Sequence, residues 1–186
     1  MSEKIGFAFD LHGTLALSND AWVEAFILVA KKEDIRECVT NMVYQKVSRK
    51  KIAEKYNICF EDVLDKYHEM VEPDIGMCIL ARQLAVHYPV FLVSSANHKK
   101  VSKDVAKLKM QDVFTNIYDS DNFHKSEEKD WENLILSSGI DMIYYIGNDV
   151  TEDYCGSKKV TLLLSGGFLN KLNDLGILYR RGEVNE

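Results

Sequence analysis

Asp10 stands at the end of the apolar run Ile5-Gly6-Phe7-Ala8-Phe9 and opens the polar turn Asp10-Leu11-His12-Gly13-Thr14. A carboxylate at the tip of a buried strand can act as a nucleophile, a metal ligand or a helix cap, and it faces the crevice in which α/β proteins bind ligands. Far along the chain, Gly147-Asn148-Asp149-Val150-Thr151-Glu152-Asp153 follows a second apolar run, Met142 to Ile146. If the two runs are neighbouring strands, Asp10 meets Asp149 and Asp153, and uncompensated carboxylates so placed raise one another's pKa. A hard divalent cation relieves the repulsion. Mg2+ suits this role, because it takes one or two carboxylates and completes its shell with water and a substrate phosphate. Each Asp taken singly is equally an ordinary N-cap.

Two further groups suit an anion. Ser94-Ser95-Ala96-Asn97 follows the run Val90 to Val93 and opens a helix from His98. Hydroxyls and free backbone N–H groups at such a place bind an anion as readily as they cap the helix. Lys125 lies in the polar stretch from Ser120 to Glu128, just before a helix containing Trp131. The positive end of a helix dipole disfavours a cation, so an anionic neighbour is expected there, with a freely solvated Lys as the plain alternative.

These groups need a parallel sheet to bring them together. The runs Ile5 to Phe9, Val90 to Val93, Met142 to Ile146 and Val160 to Leu164 are short and nearly all apolar, as strands covered on both faces are. Weaker strands are expected near Asn116 to Tyr118, and near Ile177 to Tyr179 after a helix that Gly176 terminates. Between them Val101, Val105 and Leu108, and the stretch from Trp131 to Ser138, follow helical spacing. The alternation predicts a doubly wound α/β fold. From Ser18 to Glu72 no strand candidate interrupts, and helices are predicted over 21–31, 34–44, 49–56 and 61–71. The expected organisation is a core domain of residues 1–17 and 73–186 with a small all-α cap, residues 18–72, inserted after the first strand as a lid over the crevice.

Within the cap, the basic run Gln45 to Lys51 reads as a solvated helix face, contact with the anionic end of a substrate being the alternative. Trp22 is placed to meet the non-phosphate part of a substrate, whereas Trp131 reads as core. His68, His87, His98 and His124 show no partner in the sequence.

Composition narrows the classes. A formal net charge of -6 leaves no broad electrostatic footprint for nucleic acid. No segment is apolar for long enough to cross a bilayer, and Met1-Ser2-Glu3-Lys4 does not start a secretory signal. Cys38, Cys59, Cys78 and Cys155 are far apart, which suggests reduced thiols and a cytoplasmic protein rather than a zinc site or a disulfide framework.

In order and spacing, over nearly the whole chain, these motifs resemble those of the haloacid dehalogenase superfamily of aspartyl-nucleophile phosphohydrolases. The stretch Phe7 to Leu15 is similar to the family's first motif, whose leading Asp attacks phosphorus. Val93-Ser94 resembles the second, Lys125 the third, and Gly147-Asn148-Asp149 with Asp153 the acidic fourth that binds Mg2+. The helical insertion resembles the family's first class of cap. The resemblance implies a Rossmann-like core and a Mg2+-dependent phosphatase acting on a small phosphorylated metabolite through an aspartyl phosphate. Asp10 would be the nucleophile, Ser94, Ser95 and Lys125 would hold the phosphoryl group, and Asp10, Asp149 and the carbonyl of His12 would hold the metal.

His12 is the departure. Phosphatases of the family usually carry Asp at this position as acid and base, and members with other chemistry often replace it. An imidazole, with an ordinary pKa of about 6.5, needs little tuning to move a proton near neutral pH. The other reading gives only its carbonyl to the metal while the ring fills space or touches substrate. A phosphotransferase or mutase, and a phosphate-ligand-binding protein without turnover, therefore stand beside the phosphatase. A phosphoacceptor signalling domain fits less well, since its Asp would lie in mid-chain with no helical insertion after the first strand.

Overall fold

The computed structural model describes residues 3–153 and 156–164. The strand expected at Ile177 to Tyr179 and the helix stop at Gly176 lie outside the described residues. The strands are β1 (Ile5–Phe9), β2 (Ala16–Leu17), β3 (Glu72–Pro73), β4 (Val90–Val93), β5 (Asn116–Tyr118), β6 (Met142–Gly147) and β7 (Val160–Leu164). Five of them form one sheet in the order β5-β4-β1-β6-β7, with every neighbouring pair parallel. The chain runs outward from β1 through β4 to β5 and then crosses to β6 on the other side of β1. That reversal opens a crevice beyond the carboxyl ends of the central strands.

The helices are α1 (Ser18–Ala30), α2 (Arg36–Tyr44), α3 (Arg49–Tyr56), α4 (Phe60–Met70), α5 (Ile75–Ala85), α6 (His98–Lys107), α7 (Glu128–Ser138) and the single turn α8 (Val150–Asp153). Side chains alternate across β1, so Phe7 and Phe9 join one apolar cluster while Ala8 joins the other with Phe91, Val93, Trp131 and Tyr145. The sheet is thus covered on both faces, which is why its strands read as unbroken apolar runs. Among the described residues no helix is long and apolar enough to cross a membrane.

The four helices α1 to α4 rise from a two-stranded stalk in which β2 and β3 run antiparallel, Ala16 opposite Pro73 and Leu17 opposite Glu72. A proline, which has no N–H, is tolerated in so short an edge ribbon. The boundaries differ from the expected helices by more than one residue at two starts. α1 starts at Ser18, which leaves Asp20 inside its first turn, where a negative charge suits the helix dipole. A turn of 3-10 helix, Glu33–Ile35, precedes α2 and delays its start.

Candidate active site

β1 and β6 run in register from Ile5 opposite Met142 to Phe9 opposite Ile146, and the Asp10 N–H extends the ladder with a 2.9 Å bond to the Ile146 carbonyl. The loops after the two strands therefore start side by side. They also touch: Gly13, at φ +89°, leaves the space in which its Cβ would sit to the carboxamide of Asn148. A side chain at Gly147 would strike the Asp153 carboxylate, so this glycine permits Asp153 to fold back over its own loop.

Asp10 and Asp153 meet on one cation. The Lys125 ammonium lies 2.5 Å from Asp10 Oδ1 and 2.9 Å from Asp153 Oδ1, and all three side chains are buried. Here is the anionic neighbourhood expected for a Lys before α7. Trp131, buried in the core on α7, donates its indole N–H to the Lys125 carbonyl at 2.7 Å and fixes that loop. Burial has the largest effect on Asp10 and pushes its pKa up to about 6; Lys125 opposes this and Asp153 adds to it. Burial alone would lower the pKa of Lys125, but the two carboxylates outweigh it and raise the pKa above the ordinary value.

Asp153 is fully engaged in structure. Its Oδ1 also accepts from the Tyr145 hydroxyl at 2.7 Å, and its Oδ2 accepts from the backbone N–H groups of Asn148 and Asp149 at 3.1 and 3.0 Å. Asp149 Oδ1 accepts from the Thr151 N–H at 2.7 Å and the Thr151 hydroxyl at 2.6 Å, which is the N-cap arrangement for α8. Its Oδ2 pairs with the ammonium of Lys46, a cap residue that also lies 3.1 Å from Glu152.

Ser94 ends β4 with its N–H bonded to the Tyr118 carbonyl at 2.9 Å and its hydroxyl oxygen accepting from the Ala96 N–H at 3.2 Å; it is buried. Ser95 is exposed. The N-terminus of α6 is capped by Asn97, whose side chain accepts from the Lys100 N–H at 3.0 Å.

The His12 ring turns to the cap side of the crevice. Its Nε2 lies 2.8 Å from Asp104 Oδ2, and Asp104 Oδ1 lies 2.8 Å from Nδ1 of His68 on α4. The Tyr67 hydroxyl reaches the same carboxylate at 3.5 Å. Burial lowers the His12 pKa to about 4, against the hydrogen bond to Asp104, which raises it. Burial would raise the pKa of Asp104, but the bonds and charges of His12 and His68 hold it below the ordinary carboxylate value. Sequence reasoning missed Asp104, Tyr67 and Lys100. A signal for the first existed: Asp104 falls on the buried stripe of α6 with Val101 and Val105, where an isolated carboxylate needs partners.

Trp22 is buried in an aromatic stack, 4.1 Å between ring centroids from Tyr67 and 6.3 Å from Phe60. His98 and His124, which showed no partner in the sequence, pair with Asp119 at 2.9 Å and Asp130 at 3.3 Å.

The donors available to a divalent cation are hard oxygens. The turn after β1 closes on the Leu11 carbonyl, which accepts from Thr14, Leu15 and Ala16, so the His12 carbonyl takes no part in that closure. Among the described residues no three His, Cys, Asp or Glu side chains form a ready cage. Carboxylate and carbonyl oxygens, the donor types that Asp10, Asp149 and the His12 backbone offer, suit Mg2+ rather than a softer metal. The ammonium of Lys46 already stands as a positive charge on Asp149 Oδ2.

A family model described as haloacid dehalogenase-like hydrolase matches residues 7–162. No curated protein sequence matches significantly. Among solved structures, a hydrolase from Streptococcus pneumoniae TIGR4 superimposes with a TM-score of 0.69 at 21% identity, covering 95% of this chain and 100% of that one. A predicted phosphoglycolate phosphatase from Haemophilus somnus 129PT gives 0.63 at 14% identity, covering 87% and 85%. YfnB from Bacillus subtilis, described as a HAD-hydrolase bound to magnesium, gives 0.62 at 13% identity, covering 81% and 82%.

Proposed function

Because the chain belongs to the haloacid dehalogenase-like hydrolases, we propose that it is a Mg2+-dependent phosphohydrolase of a small phosphomonoester, working through an aspartyl phosphate on Asp10. The observation that carries this reading is the buried Asp10 carboxylate held at one oxygen by Lys125 at 2.5 Å. Its other oxygen meets the Thr14 hydroxyl at a weak 3.4 Å. One oxygen is oriented and the other is left to attack. The magnesium-bound YfnB and the predicted phosphoglycolate phosphatase among the structural relatives support the cofactor and the substrate class. The free thiols of Cys38, Cys59 and Cys78 suit a reducing, cytoplasmic setting.

In this mechanism Asp10 Oδ2 attacks phosphorus in line while the ester P–O bond breaks and its electron pair leaves with the departing oxygen. Lys125 keeps the Asp10 carboxylate ionised and aimed, and Ser94 donates its hydroxyl to a phosphoryl oxygen. Asp10, Asp149 and the His12 carbonyl would hold Mg2+, which would neutralise phosphoryl charge when bound. Water then attacks the aspartyl phosphate and releases inorganic phosphate. With Nε2 of His12 committed to Asp104 and the ring neutral, Nδ1 is the nitrogen left to accept the proton of that water. This makes His12 a base for the second step rather than an acid for the first.

The test is release of phosphate from 4-nitrophenyl phosphate, whose leaving group needs little protonation, with and without Mg2+. Wild-type protein turns over only with the cation, and Asp10→Asn does not. Full activity in that variant would overturn Asp10 as nucleophile. Transfer to an added alcohol or sugar in place of water would identify a phosphotransferase.

A further inference from the structure

Beside the loops that follow β1 and β6, residues of cap and core line an open cleft of about 330 Å³, in which the one lining carboxylate, Glu152, is already paired with Lys46. His12, Gly13 and Asn148 form its floor, and Trp22, Arg49 and Lys100 lie in its walls. At the small end of ligand sites, which run from roughly 300 to 1,000 Å³, it suits a metabolite of a few carbons.

Arg49 and Lys100 come from opposite sides, one from α3 of the cap and one from α6 of the core. The Arg49 guanidinium lies 5.8 Å from the centre of the Trp22 ring, and the Lys100 ammonium lies 4.9 Å from that ring and 4.6 Å from the ring of Tyr67. Arg49 spends one nitrogen on the carbonyls of Val47 and Val43, at 2.9 and 3.3 Å. Neither cation makes an ion pair with a described carboxylate, although Lys46 beside them pairs with Asp149 and Glu152. Asp104, one turn beyond Lys100, gives its oxygens to His12, His68 and Tyr67. Burial lowers the pKa of Lys100 to about 8, with Asp104 opposing and Arg49 adding to the effect. Two cations that face one small cleft, partly stripped of water and repelling each other, leave a site whose missing partner is an anion.

Resting on the phosphohydrolase reading, we infer that the substrate carries a second anionic group, a carboxylate or a second phosphate, which docks between Arg49 and Lys100 while its phosphoryl group lies at Asp10. Trp22, beneath both cations, lines the short carbon bridge between the anionic ends, and Tyr67 behind it holds Lys100 in place. Since the two cations belong to cap and core, such a substrate also joins the two parts when it binds.

The experiment compares four phosphate esters built on two carbons: 2-hydroxyethyl, 2-aminoethyl and carboxymethyl phosphate, and ethane-1,2-diyl bisphosphate. Binding to Asp10→Asn is measured by calorimetry, and turnover by wild-type protein is followed with Mg2+. The carboxymethyl ester or the bisphosphate binds at least tenfold more tightly than the hydroxyethyl ester, and the aminoethyl ester most weakly. Whichever of the two is preferred identifies the second group. In the Asp10→Asn background, Lys100→Gln and Arg49→Gln each bring the ratio toward one, while Lys100→Arg retains it. Equal binding of all four esters, or a ratio untouched by both glutamine variants, overturns the inference. Selective binding without phosphate release from any ester by the wild type sinks the hydrolase reading and leaves the second anion site standing.

Discussion

The imidazole of His12 is bonded through Nε2 to Asp104 at 2.8 Å. Asp104 accepts on its other oxygen from His68 of the cap, so one buried carboxylate of α6 both orients the residue next to the active-site turn and fastens the lid. Replacing Asp104 by Asn removes the charge that two imidazoles share. Urea denaturation of Asp104→Asn is expected to show a loss of about 1–3 kcal/mol, the usual cost of leaving a buried polar partner unsatisfied. Unchanged stability would mean that the carboxylate contributes nothing to holding cap and core together.

The same cluster sets a pH dependence of stability. His12 is held near 4 in the folded protein against an ordinary 6.5. Between these values the unfolded chain binds a proton that the folded one does not, so stability falls as pH drops from 6.5 to 4 and the His12 contribution then levels off. Asp104 is held below its ordinary 3.8, so its contribution is present above that value and is lost as pH falls further, through the folded pKa. Asp10, raised to about 6, gives the opposite slope over much of this range in both proteins, so the reading is a difference: the stability of wild type minus that of His12→Gln, from urea titrations, is expected to fall as pH drops from 6.5 to 4. A difference that grows as pH drops over that range would show the ring to be charged in the folded state.

Asp10→Asn is expected to be inactive yet no less stable. The carboxyl of Asp10 sits at about 6 because burial penalises its charge. A folded pKa raised above the unfolded one means that stability is fully present at low pH and is lost as pH rises through the folded pKa, so at pH 8 the ionised group is a burden that the amide removes. Its Tm at pH 8 should equal or exceed that of the wild type, with turnover down by about a thousandfold or more. A large drop in Tm would show that Asp10 is needed for folding and void its use as an inactive control.

His12→Ala separates the two chemical steps. If Nδ1 takes the proton of the attacking water, acid-quenched reactions of the variant accumulate phosphoenzyme, and steady-state turnover falls by about 10²–10⁴-fold, the usual contribution of general base catalysis. An equal loss with no trapped phosphoenzyme would place His12 in the first step or outside the proton transfers.

The meeting of Asp10, Lys125 and Asp153 was legible because each is tied to a local signal: two apolar runs that end in carboxylates, and a Lys placed against a helix dipole. The stalk strands β2 and β3 were not, since two residues each are too few to show a period and one of them is Pro73. Nor was the pairing of Lys46 with Asp149, which depends on how a cap built from α1 to α4 settles over a sheet far away in sequence. His68 showed no partner for the same reason: its carboxylate lies 36 positions along the chain. The basic run expected to be a solvated face is divided, with Lys50 and Lys51 exposed and Arg49 turned inward over Trp22.

The cap leaves the core at Leu17 and returns at Glu72, residues that face each other across a single antiparallel pair. A segment whose two attachment points already touch can be exchanged without stretching the scaffold beneath it. Changes confined to α1 to α4 can therefore reshape what stands over the sheet edge while the strands and the Asp10–Lys125–Asp153 cluster below keep their places.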